Sequence, residues 1–103
     1  MLKKRLGVEG IERDWSLRIS YFKVSSSTLI IPEGCERIGV CAFWSCWELE
    51  RVVIPESVEW IGSHAFNWCR NAVIILKKPR REFRHIGDYA FLGCKYVKEE
   101  IGT

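Results

Sequence analysis

The chain has no apolar run that approaches the roughly 18 residues needed to cross a bilayer, so it contains no spanning helix. Its opening, Met-Leu-Lys-Lys-Arg-Leu-Gly-Val-Glu-Gly, is basic but leads into no apolar stretch, and no secretory signal is legible there. No strong charge of either sign is present. Lys and Arg number 16 against 13 Asp and Glu, for a net +3, which is too small to imply a polyanionic partner by itself. Paired-cysteine spacing is also missing: the 5 cysteines are odd in number and none falls in a C-x-x-C. Read beside the absent signal, that pattern favours reduced, mostly buried thiols in a reducing compartment over a disulfide framework, so a cytoplasmic location is expected, with a surface or secreted one the alternative for a trimmed chain. With only 2 histidines and no metal-ligand spacing around them, no zinc site and no other cofactor is expected.

What is there is a threefold repetition. Ile38-Gly39-Val40-Cys41-Ala42-Phe43-Trp44-Ser45-Cys46 returns as Ile61-Gly62-Ser63-His64-Ala65-Phe66-Asn67-Trp68-Cys69 and again as Ile86-Gly87-Asp88-Tyr89-Ala90-Phe91-Leu92-Gly93-Cys94, at offsets of 23 and 25 residues. Such periods belong to stacked-coil proteins, whose repeats run about 20 to 29 residues. The 103 residues make one domain with a modest core. Residues 1–27 read as an N-terminal arm and capping strand, in which Trp15, Leu17, Ile19 and Tyr21 alternate with polar residues at the period of a half-buried strand. Such a strand would cover the first core layer, which an uncapped stack leaves open to water. Residues 28–103 read as about three coils.

Within each coil the order of parts is the same. Short apolar strands, Thr28-Leu29-Ile30-Ile31 and Arg51-Val52-Val53-Ile54, end at Pro32 and Pro55, and proline cannot donate to a ladder. A second apolar anchor follows at Cys35, Val58 and Phe83. Glycine after the isoleucine suits a tight bend or a close approach between coils. Ala42, Ala65 and Ala90 leave room for neighbouring turns, while Phe43, Phe66 and Phe91 are expected to stack as an aromatic spine through the interior. Ile-Pro-x-x-Val-x-x-Ile-Gly-x-x-Ala-Phe-x-x-Cys, complete in residues 54–69, resembles the BspA-like class of leucine-rich repeats. The resemblance covers residues 28–101 and implies an α/β right-handed solenoid, mostly β, with a parallel sheet on its concave side and short helical or 3₁₀ turns on its convex side. It also implies a non-enzymatic module for binding proteins.

Stacked coils let side chains be read in columns. Cys46, Cys69 and Cys94 form one column whose thiols are placed to meet backbone groups. Cys41, His64 and Tyr89 form another, where a thiol beside an imidazole is the start of a nucleophile and base pair. Nothing in the sequence orients that histidine or supplies an oxyanion site, so packing is the reading adopted and no enzyme activity is expected. Arg37, Trp60 and His85 precede the Ile-Gly pairs and point outward, where the guanidinium of Arg37 can stack on Trp60. Trp44, Trp47 and Trp68 sit at variable positions of the convex turn and serve either as cap-like packing or as a recognition patch, since tryptophan and arginine are enriched at interaction hot spots. On the concave sheet, adding 23 residues puts Thr28, Arg51 and Ile74 in one exposed row and Ile30, Val53 and Leu76 in a second, fully apolar one, a pattern that marks a partner footprint.

The third coil carries two extra residues in Lys77-Lys78-Pro79-Arg80-Arg81-Glu82-Phe83-Arg84-His85. Lys77, Lys78, Arg80, Arg81 and Arg84 make either an anion-binding loop for a phosphate backbone or acidic protein, or a solvated insertion. A protein partner is therefore the leading expectation and nucleic acid the second. Self-association is a third, because the strand at the C-terminal edge presents unpaired backbone groups.

Overall fold

The computed structural model describes residues 27–102, so the alternating segment 15–21 and its expected capping role lie outside the described residues. Strand β1 (Thr28–Ile30), β3 (Arg51–Ile54), β5 (Val73–Leu76) and β7 (Tyr96–Glu99) pair in parallel, in that order, as a four-stranded sheet. The two-residue strands β2 (Arg37–Ile38), β4 (Trp60–Ile61) and β6 (His85–Ile86) pair in parallel as a three-stranded sheet. Consecutive strands fall in different sheets, so the chain winds through both once per repeat, and parallel pairing is what winding of this kind requires.

The third wall is a run of turns, and it is locked by a regular hydrogen-bond scheme. The N–H groups of Cys41, Phe43 and Ser45 donate to the carbonyls of Ser63, Ala65 and Asn67 in the next coil at 3.0, 2.7 and 2.8 Å. Those of His64, Phe66 and Trp68 donate onward to Asp88, Ala90 and Leu92 at 3.0, 2.8 and 2.7 Å. The residues between them close local bonds three residues back, as Ala65 does to Gly62 and Asn67 to His64. Sustaining this alternation takes left-handed backbone at two equivalent places in each coil: Cys41, His64 and Tyr89 at φ near 60° and Ser45, Trp68 and Gly93 at φ of 57°, 64° and 87°. Only one of the six is glycine, so the others each carry a strain on the order of 1 kcal/mol that the inter-coil bonds offset. This wall is thus made of turns, where the resemblance implied short helical or 3₁₀ turns. Among the described residues of the coils the helical segment is a 3₁₀ turn at Arg80–Glu82, inside the inserted loop. The fold is the mostly β parallel solenoid expected, with too little helix among the described residues for an α/β class.

The core lies between the three walls. Ile38, Ala42, Phe43, Leu49, Val52, Ile54, Val58, Ile61, Ala65 and Phe66 are sealed from solvent, joined by Leu29, Ile31, Ile74 and Leu76 from the sheet. The phenylalanines form the expected spine: Phe43 and Phe66 stack at 5.2 Å between ring centroids and 6° between planes, and Phe66 and Phe91 at 6.0 Å and 17°. Spacing of about 5 Å is that of neighbouring strands, so one ring per coil fills the interior without a gap. The glycines act through close approach: a Cβ on Gly62 would lie 2.6 Å from the backbone of Val40, and one on Gly87 2.4 Å from that of Ser63.

Candidate protein-interaction surface

On the four-stranded sheet the register pairs Thr28 with Arg51, Arg51 with Val73 and Val73 with Tyr96, and pairs Ile30 with Val53, Val53 with Ile75 and Ile75 with Lys98. Ile74 and Leu76, expected in the exposed rows, are instead fully buried and point into the core. The segment joining Cys69 to β5 is one residue shorter than the one joining Cys46 to β3. A slip of one residue turns every side chain of a strand to the other face. Ile30 is 63% exposed and Arg51 is exposed, Val53 is half-buried, and Ile75 is sealed. The apolar row is therefore short, confined to Ile30 and Val53, and is closed off by a lysine.

The outward column on the second sheet is assembled as expected. Arg37 lies 4.8 Å from the centroid of Trp60, whose ring lies 4.8 Å from that of His85. Both faces of the Trp60 indole are covered, which leaves its edge to line a shallow groove with Val40, Ser63 and the Ile-Gly backbone. On the wall of turns, Trp44, Trp47 and Trp68 are 55%, 59% and 49% exposed. Arg70 stacks on Trp47 at 5.1 Å, a partner that sequence reading missed although Arg70 immediately follows the repeat cysteine. Trp68 lies across the next turn so closely that a Cβ on Gly93 would come within 2.4 Å of its ring. The Gly93 position therefore serves both the left-handed backbone and the indole above it.

The inserted loop uses most of its charge internally. Lys78 is only 8% exposed: its Nζ donates to the carbonyl of Glu56 at 2.9 Å, pairs with Glu59 at 3.2 Å and sits 4.7 Å from the centroid of Phe83. Lys77 pairs with Glu100 at 3.6 Å. Arg80 stacks over Phe91 at 5.4 Å while its backbone N–H donates to the Glu99 carboxylate at 3.0 Å. Arg81 and Arg84 are exposed and have no partner among the described residues. Arg81 and Arg84, with the exposed Arg80 stacked on Phe91, in place of five free cations, make a weak anchor for a phosphate backbone.

The cysteine column is a set of thiols bonded to backbone. Cys69 Sγ donates to the Phe43 carbonyl at 3.0 Å and Cys94 Sγ to the Phe66 carbonyl at 3.1 Å. Contact with the Cys69 side chain, and then burial, pushes the Cys46 thiol far above its ordinary range. For Cys69 the Cys46 side chain draws the pKa down, while the Cys94 side chain and burial push it up, and the balance is a rise to about 12. The Cys46 and Cys69 thiols stay protonated, hence non-nucleophilic, at neutral pH. In the other column His64 and Tyr89 lie 5.3 Å apart at 50°, a packing contact. Among the described residues no three His, Cys, Asp or Glu side chains converge as metal ligands, and no helix is long and apolar enough to cross a membrane.

A family model described as BspA type leucine rich repeat region matches residues 18–101 in 6 copies. The match begins inside the segment read as a cap, so the repeat pattern reaches further toward the N-terminus than the three copies visible by eye. No curated protein and no solved structure matches the chain.

Proposed function

Because the chain belongs to the BspA type leucine rich repeat family, we propose that it is a non-enzymatic protein-interaction module that recognises its partner through the tryptophans of the convex turns. The observation that carries this reading is the exposure of Trp44, Trp47 and Trp68 on a backbone whose turns are bonded coil to coil. Large aromatic side chains held on a rigid frame lose little conformational freedom on binding, and they dominate interface energetics for that reason. Arg70 on Trp47, Arg37 on Trp60 and the Ile30, Val53 and Arg51 side chains of the sheet extend the available surface. The five cysteines are unpaired, which fits a reducing compartment such as the cytoplasm.

The test is capture of partners on immobilised full chain, compared with a variant carrying Trp44→Ala, Trp47→Ala and Trp68→Ala. Recovery of the specific partner set should fall at least about tenfold, the loss of roughly 1.4 kcal/mol. A second variant, Arg81→Gln with Arg84→Gln, should retain it. Loss in the arginine variant alone, with steep weakening as salt is raised, would replace this reading by an anionic partner. Circular dichroism of each variant separates lost binding from lost folding.

A further inference from the structure

The shallow groove where the three-stranded sheet meets the wall of turns has a volume of about 240 Å³. One bank is the stacked column of Arg37, Trp60 and His85. The other is Val40 and Ser63, which hold the same place in successive coils, and the Ile-Gly backbone lies between. The carbonyls of Ile38, Gly39, Gly62 and Ser63 each accept a backbone N–H already. By contrast, the N–H groups of Val40 and Ser63 and the Ser63 hydroxyl have no partner among the described residues. Glycine keeps the two amides uncovered, since a Cβ at Gly62 would come within 2.6 Å of the Val40 nitrogen and one at Gly87 within 2.4 Å of the Ser63 nitrogen.

Arg37 is exposed and forms no ion pair among the described residues, and no Asp or Glu of that set lines the groove. Stacking on Trp60 at 4.8 Å fixes the plane of its guanidinium and leaves the N–H edge free. His85 braces the indole from the other face. A guanidinium fork held in this way matches a carboxylate through two parallel bonds. The groove has one permanent cation, which suits a monoanion better than a phosphate dianion. Beside the cation, the edge of Trp60 and the exposed side chain of Val40 supply apolar surface. The volume falls below the roughly 300 to 1,000 Å³ of sites for drug-sized ligands, so it suits a group about the size of one residue.

The geometry points to this groove as a receptor for the free C-terminal carboxylate of a partner protein whose last residue is aliphatic. The carboxylate pairs with Arg37 and accepts from the Val40 and Ser63 N–H groups and the Ser63 hydroxyl, while the aliphatic side chain packs between the Trp60 edge and Val40. Capture of a chain terminus by backbone amides is a recurrent mode of recognition. A C-terminal residue carries a carboxylate and an apolar side chain on one Cα, which matches the two kinds of surface here. An Asp or Glu side chain brings the carboxylate and leaves the apolar bank uncovered.

The proposal rests on the interaction-module reading but uses a different face from Trp44, Trp47 and Trp68, so either can fail alone. The probe is Ac-Ala-Ala-Val-OH, titrated into ¹⁵N-labelled full chain, with Ac-Ala-Ala-Val-NH₂, Ac-Ala-Glu-Ala-NH₂ and inorganic phosphate as comparison ligands. The largest shifts are expected at the Val40 and Ser63 amides and the Trp60 indole N–H, and amidation should weaken binding about tenfold. Arg37→Gln and Val40→Asp, both at exposed positions, should each do the same, and Arg37→Lys should fail to restore the wild-type affinity. The variant with Trp44, Trp47 and Trp68 replaced by alanine should bind the probe unchanged. Equal binding of the amidated peptide assigns no role to the terminus and would overturn the proposal. Equal binding of the internal glutamate peptide or of phosphate at the same amides would do so too, as would shifts concentrated at Arg81 and Arg84, or no shifts. Unaltered spectra away from the groove show that Arg37→Gln and Val40→Asp are folded.

Discussion

At the scale of single residues, two small features hold the coils together. Gly62 has no room for a methyl group, because the obstacle 2.6 Å away is backbone and not a movable side chain. Gly62→Ala must push two coils apart and should cost about 1 to 3 kcal/mol, read as a drop of several degrees in the thermal midpoint. The thiol column makes a second prediction. Iodoacetamide at neutral pH should label the half-exposed Cys41 and Cys94 and spare Cys35, Cys46 and Cys69 until the chain is unfolded. The raised Cys69 pKa also has a sign for stability. The folded thiol keeps its proton where the unfolded thiol loses it, so the contribution is intact below the ordinary value of 9.0 and drains away as pH rises toward about 12. The thermal midpoint of wild type should fall over that interval more steeply than that of Cys69→Ser, and equal slopes would remove Cys69 as the cause.

At the scale of elements, the strands differ in how far sequence could place them. The alternation in Arg51–Ile54 gives its faces directly, with Val52 and Ile54 inward. Val73-Ile74-Ile75-Leu76 is apolar throughout, so periodicity is silent, and its faces depend on a turn one residue shorter than the one before. A pair of substitutions tests the register: Ile74→Asp should unfold the domain, whereas Ile30→Asp on the exposed face should change stability by no more than about 0.5 kcal/mol. The aromatic spine is the element that reads most simply. Phe66 stacks on both sides, and Phe66→Ala should cost about 3 to 5 kcal/mol by denaturant unfolding.

At the scale of the whole molecule, a solenoid is stabilised by neighbours, and its two ends need not be alike. The first described coil is sealed and the last is half open. Amide hydrogen exchange should therefore be slowest at Phe43 and Phe66, which donate across coil boundaries at 2.7 and 2.8 Å, and fast at Tyr89, Phe91 and Gly93. Uniform protection along the chain would contradict this gradient. The inserted loop belongs to this scale as well. Read alone it is five cations within eight residues, but folding places Lys78 under Phe83, Lys77 against Glu100 and Arg80 over Phe91.

The repeated Ile-Gly, Ala-Phe and Cys positions determined by themselves that the chain coils, which side chains stack, and which residues face inward at the turns, because identical spacing in a stack forces identical neighbours. Folding decided what spacing does not encode. A one-residue difference in turn length exchanged the faces of β5, turns with left-handed backbone stand where short helical or 3₁₀ turns were expected, and lysines met carboxylates distant in sequence. Whether a cation is available to a partner depends on where its counter-ion lies, and that is settled only when Glu59 and Glu100 are brought beside the loop.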